Sequence, residues 1–174
     1  MARSAHGGGT GTGRVRVVNR QRLIPIRRGA MEAVLEGILR DEDVPAPFHV
    51  DVTLVRDGAI RPVHRDHLGK DTPADVLAFP YHSPESWSAV PRDGARSDLE
   101  GEHLLGDVLV STDQARVEAR RRRIGERRAV ALLAIHGVLH LMGYDHAREA
   151  QRRVMKRAER RYIGLWLRWT ARGE

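Results

Sequence analysis

Two segments alternate apolar and polar residues at period two, RVRVVN (Arg14–Asn19) and FHVDVTLV (Phe48–Val55). Alternation at every second residue puts one set of side chains on one face, so each segment predicts a half-buried strand. Between them, after Pro25, Met31, Val34, Leu35 and Ile38 recur at three- and four-residue spacing and predict an amphipathic helix. Asp57-Gly58 reads as a turn closing the second strand, with a short helix over Ile60–Leu68. ADVLAFP (Ala74–Pro80) predicts a third strand stopped by its proline, and GDVLVS (Gly106–Ser111) a fourth. Ser111 and Gln114 have capping-box spacing, which predicts a helix from there to Gly125. Ala129–Met142 is apolar on almost every side and predicts a buried helix. A last helix follows His146, with Met155, Ala158, Tyr162, Leu165 and Trp169 along its inner stripe. The intermixed elements predict an α+β single domain, a small mixed sheet with helices packed around one central helix.

Outside these elements, residues 1–13 are rich in Gly, Ser and Thr and predict a disordered tail before a folded domain over 14–170. His82–His103 is a long loop carrying Glu85, Asp93, Asp98, Glu100 and Glu102, an acidic island in a basic chain. There is no cysteine, which excludes disulfides and thiolate metal sites and fits a cytoplasmic protein. The N-terminus has no apolar core of a signal peptide, and the run from Ala129 to Gly143 is too short and too rich in histidine to span a bilayer, so no membrane partner is expected.

The chemistry concentrates in HGVLHLMGYDH, His136 to His146. His136 and His140 stand four apart, so on a helix both imidazoles leave one face about one turn apart. Gly143 allows a left-handed exit from the helix, which can bring His146 back over the same face. One histidine on an apolar helix is more often a core residue than a ligand; three in this pattern point to a metal. Three neutral imidazoles with a fourth position open suit tetrahedral zinc, although nickel or copper could use the same ligands. Asp145 could orient one of the rings or cap the following helix. Metzincin proteases share the spacing but place Glu directly after the first histidine, where this chain has Gly137. The metal geometry is kept while a peptidase's base is absent, which counts against a zinc peptidase. Zinc could still polarise a phosphoryl or carbonyl oxygen, or lower the pKa of bound water to about 7.

A formal net charge of +7 suggests a polyanionic partner such as nucleic acid. Lys70 and Lys156 are the only lysines among 30 basic side chains, a bias that GC-rich coding also produces, so charge supports this reading without deciding it. Arg116, Arg120, Arg121, Arg122, Arg123, Arg127 and Arg128 concentrate positive charge just before the buried helix, and positions 116, 120, 123 and 127 share a face, a candidate phosphate track. Their alternative is a solvated face paired with Glu118 and Glu126. Tyr162, Trp166 and Trp169 could stack on bases, but their helical spacing favours core packing. In HRDHLGKD, Arg65, Lys70 and Asp71 precede a strand on a loop that could face the metal.

The eleven-residue run resembles the signature H-G-x-L-H-L-x-G-Y-D-H of the YbeY family of bacterial endoribonucleases and rRNA maturation factors. GKDTPADVLAFP (Gly69–Pro80) and LGDVLVS (Leu105–Ser111) are similar to the family's two other marked segments, and the resemblance runs from about Arg14 to Gly164. It implies a single α+β domain and one zinc on His136, His140 and His146. It also implies cleavage of single-stranded RNA, in 16S rRNA 3′-end maturation and ribosome quality control. Implied partners are the small ribosomal subunit's RNA and ribosomal proteins or assembly factors. Two departures stand out. Leu68 occupies the place of an arginine that the family pattern links to substrate binding or catalysis, and Ala74 and Ala78 replace hydroxyl residues. Arg65 lies one helical turn before Leu68 and could substitute if the segment is helical; Arg65 and Lys70 are the candidate catalytic residues, and the group that takes the nucleophile's proton is not identified. The leading expectation is a zinc-dependent endoribonuclease; the alternative is a ribosome-assembly factor whose zinc is mainly structural.

Overall fold

The computed structural model describes residues 13–82 and 103–171. Residues 1–12 of the expected tail and the interior of the acidic loop lie outside the described residues. In chain order the elements are β1 (Arg14–Asn19), α1 (Arg28–Asp41), β2 (Phe48–Val55), α2 (Asp57–Leu68) and β3 (Val76–Pro80). There follow β4 (His103–Ser111), α3 (Thr112–Arg122), α4 (Glu126–Leu141) and α5 (Glu149–Thr170). This is the α+β single domain that the pattern predicts.

The sheet runs β1-β2-β4-β3, with β1, β2 and β4 parallel and β3 antiparallel at the edge. Parallel neighbours need a crossover, which α1 supplies between β1 and β2. The period-two pattern sorts the faces. Val15, Val17, Phe48, Val50, Val52, Leu54, Val108 and Val110 are buried under α1 and α4, and α5 packs on those two helices. Arg16, His49 and Asp51 occupy the opposite face, where Arg16 Nε donates to Asp51 at 2.7 Å. A smaller apolar cluster of Val55, Ile60 and Leu77 seats α2 at the end of that second face.

Three local expectations change. Asp57 and Gly58 form the first turn of α2 rather than a reverse turn, because Asp57 is fixed from α3: its Oδ1 accepts from Ser111 Oγ at 2.5 Å and its Oδ2 from Gln114 Nε2 at 2.7 Å. That bond diverts Gln114 from its capping-box role, although Ser111 Oγ still accepts from Gln114 N at 3.2 Å. The helix before Gly125 ends early, with Arg123 in the left-handed region at φ 55°, and Gly125 becomes the N-cap of α4. On α5 the inner stripe is Met155, Ala158, Tyr162, Ile163 and Trp166, while Trp169 is exposed.

α4 lies across β3 and β4 with no room at one position. A Cβ built on Gly137 would stand 2.4 Å from Val108 Cγ1 and 2.9 Å from Val76 Cγ2, distances that real side chains do not reach. In an exposed helix Gly→Ala stabilises by roughly 1 kcal/mol. At this contact Gly137→Ala is expected to destabilise instead, by about 1–3 kcal/mol from overpacking, read as a lower urea midpoint. A midpoint at or above that of the parent would remove the close-approach account.

Candidate metal centre

α4 carries His136 and His140 a turn apart, and the chain then reverses. Gly143 takes φ 83° and its N–H donates to His140 O at 3.0 Å, while Tyr144 N donates to Leu139 O at 3.1 Å. Asp145 Oδ1 accepts from the backbone of His146 at 2.6 Å and of Ala147 at 3.2 Å. Those N–H groups hold the Asp145 carboxyl below the usual carboxylate range. Asp145 therefore shapes the turn that presents His146; the α5 N-cap is Arg148, and a different carboxylate orients the ligand ring. Tyr144 pins the turn to the body of the protein by donating to Glu42 Oε2 at 2.7 Å, and Tyr162 donates to the same carboxylate. Burial and then the Glu42 bond push the Tyr144 hydroxyl up to about 12.

The three imidazoles converge. One ligand nitrogen from each of His136, His140 and His146 lies within 4.8 Å of the others, and the Nε2 atoms of His136 and His140 are 3.0 Å apart. Tetrahedral zinc with Zn–N bonds of 2.0–2.1 Å separates its nitrogens by about 3.3 Å, so the donor set fits a single ion. Burial, followed by the two neighbouring imidazoles, lowers the His140 pKa and favours the neutral form a metal requires. His136 Nδ1 lies 2.6 Å from Glu159 Oε1, which makes Nδ1–H the donor and leaves Nε2 free to ligate. Burial alone would raise Glu159, but the His136 bond and the charges of His136, Arg122 and Lys156 bring it net below its ordinary value.

The site opens into a cleft of about 250 Å³ whose polar lining is Asp75, Glu118, Arg121, Arg122, His136, His146, Arg152, Lys156 and Glu159. The arginine track expected across α3 and α4 does not form, because the helix breaks at Arg123 and Arg116 pairs with Glu126 at 2.9 Å. Arg121 and Arg122 reach the cleft instead, both tied to Glu118. Tyr162 and Trp166 are core residues. Arg65 does lie on a helix one turn before Leu68, yet it pairs with Asp66 at 3.0 Å and Asp71 at 3.9 Å. Arg65 and Lys70 are exposed and are not among the residues lining the cleft.

Sequence reading missed Glu159, Arg152 and Lys156. Glu159 left a signal: after the first turn it is the one acidic side chain of a strongly basic helix, beside the buried Ala158 and Tyr162. An acidic side chain at the margin of an apolar stripe needs a partner.

Comparison with known proteins agrees with this geometry. A family model described as "Endoribonuclease YbeY" matches residues 16–166. The endoribonuclease YbeY of Desulfitobacterium hafniense is 38% identical over 136 residues, 76% of this chain and 83% of that protein. Its counterpart in Geobacter sulfurreducens is 36% identical over 154 residues, 87% of this chain and 95% of that one. A solution structure from Thermotoga maritima shares the fold at a TM-score of 0.56 and 22% identity, covering 91% of this chain and 93% of its own. Among the described residues no helix is long and apolar enough to cross a membrane.

Glu159→Gln keeps the shape but weakens the acceptor for His136, and metal affinity is expected to fall by about 10–100-fold, measured by competition with a chelating dye. Wild-type affinity in that variant would leave Glu159 no orienting role. The metal-free protein is also expected to lose stability in acid. The unfolded chain protonates His140 near the ordinary imidazole value of 6.5 while the folded chain resists, so the loss begins as pH falls through that value. Glu159 adds to it as pH falls below 4.5 toward its lower folded value. Urea midpoints at pH 7.5 and 5.5 test the sign; a rise toward acid would contradict it.

Proposed function

The chain belongs to the endoribonuclease YbeY family, and from that premise we propose that it is a zinc-dependent endoribonuclease of single-stranded RNA. We place its work in 16S rRNA 3′-end maturation and ribosome quality control, in the cytoplasm, beside ribosomal proteins or assembly factors. The observation that carries the proposal is the convergence of three imidazoles at the mouth of a cleft that also holds four cationic side chains. His136, His140 and His146 would hold the zinc. Once bound it supplies a Lewis acid for a phosphoryl oxygen and lowers the pKa of coordinated water.

The chain's own residues prepare the rest. Glu159 fixes the His136 tautomer, and burial keeps His140 neutral. Arg121 and Arg122, fixed through Glu118, put positive charge where a phosphodiester would lie. Position 137 faces Val108 and Val76, so a metzincin-like glutamate has no space there, which supports RNA over peptide as substrate. Arg65 and Lys70, outside the cleft, contact RNA beyond the reacting phosphate in this reading. One observation favours the second reading, an assembly factor with a structural metal: Leu68 is 59% exposed where the family pattern holds an arginine.

Purified protein is expected to carry one zinc per chain by elemental analysis and to cut single-stranded RNA until a chelator is added. His140→Ala should reduce cleavage by about 100-fold or more, since changes around the ligands alone cost 10–100-fold, with circular dichroism and ribosome binding retained. A variant that unfolds, or metal-loaded wild type that cuts no RNA, would favour the assembly reading. A 2′,3′-cyclic phosphate product would identify the 2′-hydroxyl as nucleophile; a 5′-phosphate beside a 3′-hydroxyl would identify water.

A further inference from the structure

The four cations of the cleft differ in what they already hold. Arg121 donates twice to Glu118 at 2.8 Å, and Arg122 is bound to the same carboxylate. Arg152 has one acidic neighbour, Glu149 at 3.6 Å on the exposed side of α5. Lys156 has no ion pair among the described residues, and Glu159, the carboxylate its charge acts on, is occupied by His136.

Arg152 and Lys156 stand four apart, so they leave one helix face a turn apart, and Arg160 follows at the same spacing, exposed. Like charges at this spacing repel one another and weaken an isolated helix. A polyanion laid along the stripe reverses that repulsion and releases counterions. The lower end of the stripe lies in the same cleft as His136 and His146, so a chain held by α5 is continuous with the metal centre.

We propose that single-stranded RNA crossing the metal cleft is held by its phosphates on α5, through Arg152 and Lys156, with Arg160 extending the track by one turn. The inference rests on RNA being the substrate. It places the backbone grip on the helix after the metal-binding turn, which carries seven basic side chains against two acidic ones, and not on the α2 turn where Leu68 stands.

The test is fluorescence anisotropy of a labelled single-stranded RNA with zinc-loaded protein, read at mixing over a range of salt, with cleavage followed in parallel. Each phosphate contact on a single strand contributes about 0.7 to the slope of log K against log salt, so Arg152→Gln with Lys156→Gln should flatten it by about 1.4. At 0.1 M salt that is about 25-fold weaker binding if the difference vanishes at 1 M. Zinc content should be unchanged, and Lys156→Arg alone, which keeps the charge, should leave the slope at the wild-type value. Arg153→Gln with Arg157→Gln, the same charge change outside the cleft, should flatten the slope far less. The track is overturned, with the RNA reading intact, if wild type binds and cuts RNA while the cleft variant matches it, if the control pair loses as much, or if the variant has lost zinc. Wild type that binds no RNA overturns the track and the RNA reading together.

Discussion

The contact between α4 and the sheet at Gly137 sets the frame for the site. With no side chain at that position, the helix settles onto Val108 and Val76, two residues that close-packed interiors do not readily displace. Residues one position away on a helix point about 100° apart. Seating position 137 against the sheet therefore turns His136, and His140 a turn later, toward the gap beside α3 and α5. The same glycine that removes a protease's base thus fixes the direction in which the metal ligands face.

Two carboxylates then hold what the helix alone cannot. Glu159 on α5 fixes the His136 ring, and Glu42 beyond α1 gathers Tyr144 and Tyr162. The third ligand sits on a turn, and a turn is placed only as well as its anchors allow. Gly143, the Asp145 backbone bonds and the Tyr144–Glu42 bond together fix it from three sides. Buried apolar surface positions the helices, and a few charge-assisted hydrogen bonds position the imidazoles.

Charge follows a similar division. The acidic groups near the cleft are mostly committed to internal partners, Glu118 to two arginines and Glu159 to a ligand histidine. Of the cations lining the cleft, the two that Glu118 does not hold, Arg152 and Lys156, stand on α5. A net charge of +7 thus acquires a location beside the metal centre, where it can act on a phosphate backbone.

The sequence by itself determined the strands of period two, the helices and the three converging histidines. Each rests on local geometry: alternation over six to eight residues, or a helix followed by a glycine turn within eleven. Boundaries slipped where a distant side chain intervened, as when Asp57 and Gln114 met across α2 and α3 and replaced an expected turn with a helix start. The arginine face failed because Arg123 adopts a left-handed conformation that ends α3, a break the charge pattern does not reveal. Glu159, Glu42, Arg152 and Lys156 belong to the site only because α1, α4 and α5 are packed together, and Gly137 reads as a missing base until Val108 is beside it. Those pairings span up to 120 residues and are set by which apolar faces meet. Local periodicity carries no information about them, so only the tertiary structure decided what surrounds the histidines.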